Sequence, residues 1–173
     1  MIRRVAPSLL SGLRAPLAAA LCWLIVARAW RAAVLVLLAA GITDVADGWL
    51  ARRTDARTTT GAYIDVCADL LVVLAGFGGL ALIGAIPRWL PAVLVAVFAQ
   101  FLLTSGRRQP IYDPVGKYFG GFLYGALGVA LALPDLAMAH AVTVTVAGMT
   151  AATLGSRTLH LARGRTAAPI SAP

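Results

Sequence analysis

Four aspartates hold most of the chemical information in this chain. Asp44, Asp47, Asp65 and Asp69 are four of its seven acidic residues, there is no Glu, and apolar stretches flank them on both sides. Ionisable groups in such surroundings are costly unless paired, hydrated or metal-bound, so they mark a functional site by default. On one helix Asp44, Asp47, Gly48, Ala51 and Arg52 fall at i, i+3, i+4, i+7 and i+8, a single face. On the next, Gly61, Asp65 and Asp69 recur every four residues as a second stripe. The connection between them, Arg53–Thr60, is short, polar and free of Pro, which predicts an antiparallel pair whose stripes meet. Four facing carboxylates would repel one another if left bare. Mg²⁺ or Mn²⁺, which prefer oxygen ligands, resolve that repulsion, and no His or Cys pair competes for a softer metal. Gly48 and Ala51 remove bulk beside the carboxylates, and Arg52 offers a fixed cation to a phosphate. The chemistry implied is metal-assisted displacement at phosphorus, with paired metals clamping a diphosphate.

The elements that must position these residues are membrane helices. The chain has 173 residues, 60% hydrophobic and 13% charged, against roughly half and a quarter in a soluble domain. Apolar runs near the spanning length of about 20 residues fall at 15–27, 32–50, 62–86, 89–105, 118–133 and 136–156. The expected fold is an all-α integral membrane protein of six transmembrane helices. Residues 1–14 are expected to form an amphipathic segment on the membrane surface. Residues 1–165 should make one catalytic domain, and 166–173 a disordered tail. No segment reads as a cleavable signal peptide. Cys22 and Cys67 lie in apolar spans and are not expected to form a disulfide.

Charge sets the orientation. With six spans and an internal N-terminus, one side collects Arg3, Arg4, Arg14, Arg52, Arg53, Arg57, Arg107, Arg108, Lys117, Arg157, Arg163 and Arg165, and the other only Arg28, Arg31 and Arg88. That bias places both termini and the aspartate site on the cytoplasmic side of the cell inner membrane. The net charge of +8 then reflects topology and attraction to anionic lipid. Nucleic-acid binding is a poor rival, because the basic residues are dispersed among spans and lack an aromatic reading surface.

The run Asp47-Gly48, Ala51-Arg52, eight residues, Gly61, Asp65, Asp69, with Asp44 before it, resembles the D-G-x2-A-R-x8-G-x3-D-x3-D motif of the CDP-alcohol phosphotransferase family. Pro7–Arg14 is similar to a weakened form of that family's N-terminal segment. The resemblance implies a two-metal centre of Mg²⁺ or Mn²⁺ on Asp44, Asp47 and Asp65, with Asp69 close to it. It implies Asp69 as the catalytic base that deprotonates an acceptor hydroxyl, and Gly48, Ala51, Arg52 and Gly61 as CDP-binding positions. The implied reaction, part of phospholipid biosynthesis, is attack of a small alcohol on the β-phosphorus of CDP-diacylglycerol, releasing CMP.

The acceptor would be read by the second cytoplasmic loop. Arg107, Arg108 and Lys117, the only Lys, form a cationic cluster suited to a phosphorylated acceptor, although positive charge at helix ends also serves topology. Gly116-Lys117 is similar to the Gly-Lys of phosphatidylglycerophosphate synthases, whose fuller form is G-K-x-K-T; here Tyr118-Phe119-Gly120 follows. Glycerol 3-phosphate is the favoured acceptor, with inositol phosphate or another alcohol as the alternative. Gly116, Gly120, Gly121 and Gly125 suggest close helix packing, within the bundle or across a homodimer. Two other classes remain, an intramembrane prenyltransferase and a divalent-cation transporter. The first usually has two separate Asp-rich motifs, and the second often has a repeated half that residues 90–173 lack.

Overall fold

The computed structural model describes the backbone of residues 6–53, 59–104 and 116–166, and the side chains of 13–46, 64, 66–103 and 118–159. The described residues form six helices and no strand: α1 (Ala6–Val26), α2 (Trp30–Arg53), α3 (Thr59–Leu82), α4 (Trp89–Thr104), α5 (Gly116–Ala132) and α6 (Leu136–Thr166). These follow the apolar runs closely, with one difference. α1 is continuous from Ala6 through Pro16, and Arg14, expected on the membrane surface, is completely buried within it; the side chains of the rest of the expected surface segment, residues 1–12, lie outside the described residues.

One helix among the described residues is long and apolar enough to cross a membrane by itself, Leu136–Leu159 in α6. Leu13–Val26, Val66–Leu82, Trp89–Leu103 and Tyr118–Ala132 are shorter apolar stretches. The helices are apolar on their outer faces too: Trp23, Leu35, Ile42, Leu103 and Val144 point outward. Polar side chains on α6 are satisfied within the helix. Thr143, Thr145, Thr150, Thr153 and Thr158 each donate to the carbonyl four residues back, which lets a hydroxyl lie in apolar surroundings without an unmet hydrogen bond.

The core is built around α1 and α3. Leu21 and Ile25 of α1 pack with Val72, Val73 and Phe77 of α3, and Leu90, Leu94, Leu123 and Leu127 extend the cluster. Two glycines permit this approach: a Cβ on Gly76 would overlap the Leu127 side chain, and one on Gly79 would stand 3.1 Å from Ile25 Cγ2. Among the described contacts α1 packs along both α3 and α2, whereas α2 and α3 touch each other only slightly.

Three tight turns close one end of the bundle. α1 and α3 both end with a residue in the left-handed region, Arg28 (φ 57°) and Gly84 (φ 76°). In each, the following amide returns to a carbonyl five residues back: Ala29 to Leu24, and Ala85 to Leu80, both at 2.9 Å. This is the Schellman closure, which satisfies carbonyls the helix leaves open. The third turn starts α6, where the Met138 amide donates to Asp135 Oδ1 at 2.6 Å as an N-terminal cap. With these turns at one end, Asp44 and Asp69 fall toward the other.

Candidate functional site

Asp44 of α2 and Asp69 of α3 meet through a residue of α1. Arg14 Nη2 donates to Asp44 Oδ1 at 2.7 Å, and its Nη1 stands 3.2 Å from Asp69 Oδ1. The Arg14 side chain has no exposed surface, while those of Asp44 and Asp69 are 45% and 31% exposed. The guanidinium therefore lies on the inner side of both carboxylates, which present their remaining surface outward. The two stripes were expected to meet near the cytoplasmic end; at Asp44 and Asp69, the stripe residues whose side chains are described, Arg14 of α1 joins them. Among the described contacts α1 packs along both α2 and α3.

Both carboxylates line a cavity of about 430 Å³. Gly41, Asp44 and Val45 come from α2, Val66 and Asp69 from α3, and Val97, Phe98 and Phe101 from α4. Phe119, Gly120, Gly121 and Tyr124 of α5 and Thr153 and Arg157 of α6 complete it. Most of this surface is apolar, and Phe98 and Phe119 pack with ring centroids 6.5 Å apart. The Tyr124 hydroxyl is buried near Asp69, close enough to feel its charge but without a well-formed hydrogen bond. Arg157, 4% exposed, donates through Nη2 to the Phe101 carbonyl at 3.2 Å and lies 4.9 Å from the centre of the Phe101 ring. Held by both interactions, it is a fixed buried cation in a cavity that also presents two carboxylates.

Gly120 and Gly121 pack closely against none of the described residues. A Cβ on either, or on Gly125, would meet nothing within 4 Å, so their lack of side chains instead leaves room in and beside the cavity. Gly41 is open in the same way.

Of the residues singled out from the sequence, the structure brings Asp44 and Asp69 together. Asp47, Gly48, Ala51 and Arg52 belong to α2, and Gly61 and Asp65 to α3, but their side chains lie outside the described residues. Lys117 is the second residue of α5, its side chain likewise outside them, and Arg107 and Arg108 lie outside them altogether. Among the described residues no group of three His, Cys or Asp side chains converges. Arg14 and Arg157 had been counted as topogenic charges; both are buried and engaged, and the charge bias keeps its sign without them. Arg14 had a signal in the N-terminal segment. Arg157, a lone cation near the end of a long apolar run, had a weaker one.

Comparison with known proteins gives the family. The profile of the CDP-alcohol phosphatidyltransferases matches residues 4–151, most of the chain. A cardiolipin synthase (CMP-forming) from Streptomyces coelicolor is 37% identical over 90 residues, a stretch covering 51% of this chain and 42% of that protein. The match thus spans less than half the length of that relative. No solved structure matches.

Proposed function

This chain belongs to the CDP-alcohol phosphatidyltransferase family, and we propose that it transfers a phosphatidyl group from CDP-diacylglycerol to the hydroxyl of a second alcohol, releasing CMP. The observation that best supports this reading is the pair of carboxylates, Asp44 and Asp69, held by one guanidinium at the wall of a cavity wide enough for a substrate headgroup.

Asp44, Asp47 and Asp65, with Asp69 adjacent, are proposed to hold Mg²⁺ or Mn²⁺. Acidic oxygens are the donor set these hard cations prefer, and the two described carboxylates face the cavity as such a site requires. Bound there, the ions would neutralise the diphosphate and ease departure of CMP. Gly48, Ala51, Arg52 and Gly61 are proposed to seat the CDP moiety. Asp69 accepts the acceptor's hydroxyl proton as the new oxygen–phosphorus bond forms at the β-phosphorus and the bond to CMP breaks. Arg157 offers a buried charge-assisted hydrogen bond to a substrate phosphate.

In this reading the six helices span the inner membrane as one domain, residues 1–165, with the termini and the aspartate end on the cytoplasmic side. The outward-facing apolar side chains and the self-satisfied threonines of α6 support it. A homodimer is compatible with the open glycines of α5.

Glycerol 3-phosphate, held by Arg107, Arg108 and Lys117, is the first acceptor proposed, with inositol phosphate as its phosphorylated alternative. A phospholipid with a free hydroxyl is a second reading, favoured by the cardiolipin synthase relative and by the aromatic cavity lining. Purified protein with Mg²⁺ or Mn²⁺ and CDP-diacylglycerol should release CMP with one of glycerol 3-phosphate, inositol phosphate or phosphatidylglycerol. Absence of CMP with all of them would overturn the reading, and diphosphate release from a prenyl donor would replace it with a prenyltransferase.

A further inference from the structure

We infer that Arg14 is a positioning residue, whose planar guanidinium fixes the Asp44 carboxylate of α2 against the Asp69 carboxylate of α3. The inference rests on the proposed reading of those aspartates as metal-centre residues.

Among the described contacts α2 and α3 touch only slightly, while both pack extensively against α1, so the relative placement of Asp44 and Asp69 depends on what α1 puts between them. It puts Arg14 there. The contacts use different nitrogens of one group, Nη2 to Asp44 at 2.7 Å and Nη1 to Asp69 at 3.2 Å. The first is a hydrogen bond and the second an ion pair, and because a guanidinium is rigid and planar, oxygens held against its two terminal nitrogens have a set separation. A lysine ammonium, a single point of charge on a flexible stem, imposes no such constraint.

The side from which Arg14 approaches separates positioning from simple neutralisation. Asp69 Oδ1, the atom facing Arg14, is buried, yet the side chain as a whole is 31% exposed. The exposed part therefore lies away from Arg14, on the side available to the cavity. Arg14 approaches each carboxylate at Oδ1 from behind, and both carboxylates also line the cavity. Partners of this kind orient metal-binding side chains, and their loss disturbs the centre even though they bind no metal themselves.

Electrostatics and geometry then make opposite forecasts, which gives the test. A positive charge this close to the aspartates opposes cation binding, so Arg14→Gln should bind Mn²⁺ at least as tightly as the parent. If the fork sets the geometry, the same variant should lose at least a hundredfold in kcat with little change in KM for CDP-diacylglycerol, since a displacement of about an ångström can cost that much. Arg14→Lys keeps the charge and protects folding, but should still lose at least tenfold in kcat. The electron paramagnetic resonance spectrum of the Mn²⁺-loaded protein, which senses the ligand arrangement directly, should change in both variants.

Arg14→Lys with a parental spectrum and a kcat within threefold of the parent would overturn the inference. So would an Arg14→Gln variant that stays folded but loses Mn²⁺ binding and activity in proportion, because the residue would then act as a general support. Failure of the functional reading looks different: the unmodified protein itself would neither bind Mn²⁺ nor release CMP.

Discussion

The two ends of the helix bundle are held by different kinds of interaction. At the turn end, Arg28, Gly84 and Asp135 close the chain with bonds that reach five residues or fewer. At the site end, the Arg14–Asp44 bond links positions 30 residues apart, and Arg157 reaches the Phe101 carbonyl across 56. Local closure needs only the right residue at the right place in the chain. The site end needs α1, α2, α3, α4 and α6 all in position before its charges find their partners. One end stabilises, and the other is assembled to react.

If that division is real, changes at the site end should cost turnover and changes at the turn end should cost stability. The largest effect belongs to Asp69. Asp69→Asn should lower kcat by about 10²- to 10⁴-fold, the usual contribution of a positioned base, with an unchanged melting temperature; full CMP release by this variant would remove Asp69 from that role. Arg157→Met should follow, lowering kcat/KM by about 10- to 100-fold, the scale of a hydrogen bond to a charged group. A value equal to the parent's would make Arg157 a packing residue only.

Tyr124→Phe sharpens the comparison further. Its hydroxyl lies near Asp69 without a firm hydrogen bond, so its removal should change kcat only about threefold, less than a full hydrogen bond to a charged group. The smallest effect on turnover belongs to the other end. Asp135→Ala removes the α6 cap and should cost about 1 kcal/mol of stability, read as a lower melting temperature in detergent, with kcat unchanged. A drop in kcat there would mean that the two ends are coupled.

The same division explains what the sequence made legible. Helix count and approximate ends followed from apolar run length, and the aspartate stripes from their spacing of three and four. Arg14 and Arg157 look in the sequence like any cations near the ends of apolar runs, because their partners lie at distant positions. Nor does any periodicity announce that Phe98, Phe101 and Phe119 would line the same cavity as the aspartates. The sequence reading that set Arg14 on the membrane surface missed its burial for a related reason. Arginines mark a surface only when nothing inside can receive them, and Arg14 has two carboxylates.

The shared grip of Arg14 also bears on the order of biosynthesis. α1 leaves the ribosome before α2 and α3, and so before either aspartate that Arg14 meets. Asp44 arrives with α2, and Asp69 only with α3, some 55 residues after Arg14. Until then α1 has reason to keep its charged turn in water rather than settle among apolar neighbours. If α1 docks only when both carboxylates are present, the completed pair would act as a checkpoint on assembly, and a chain halted after α2 would hold one of the two contacts.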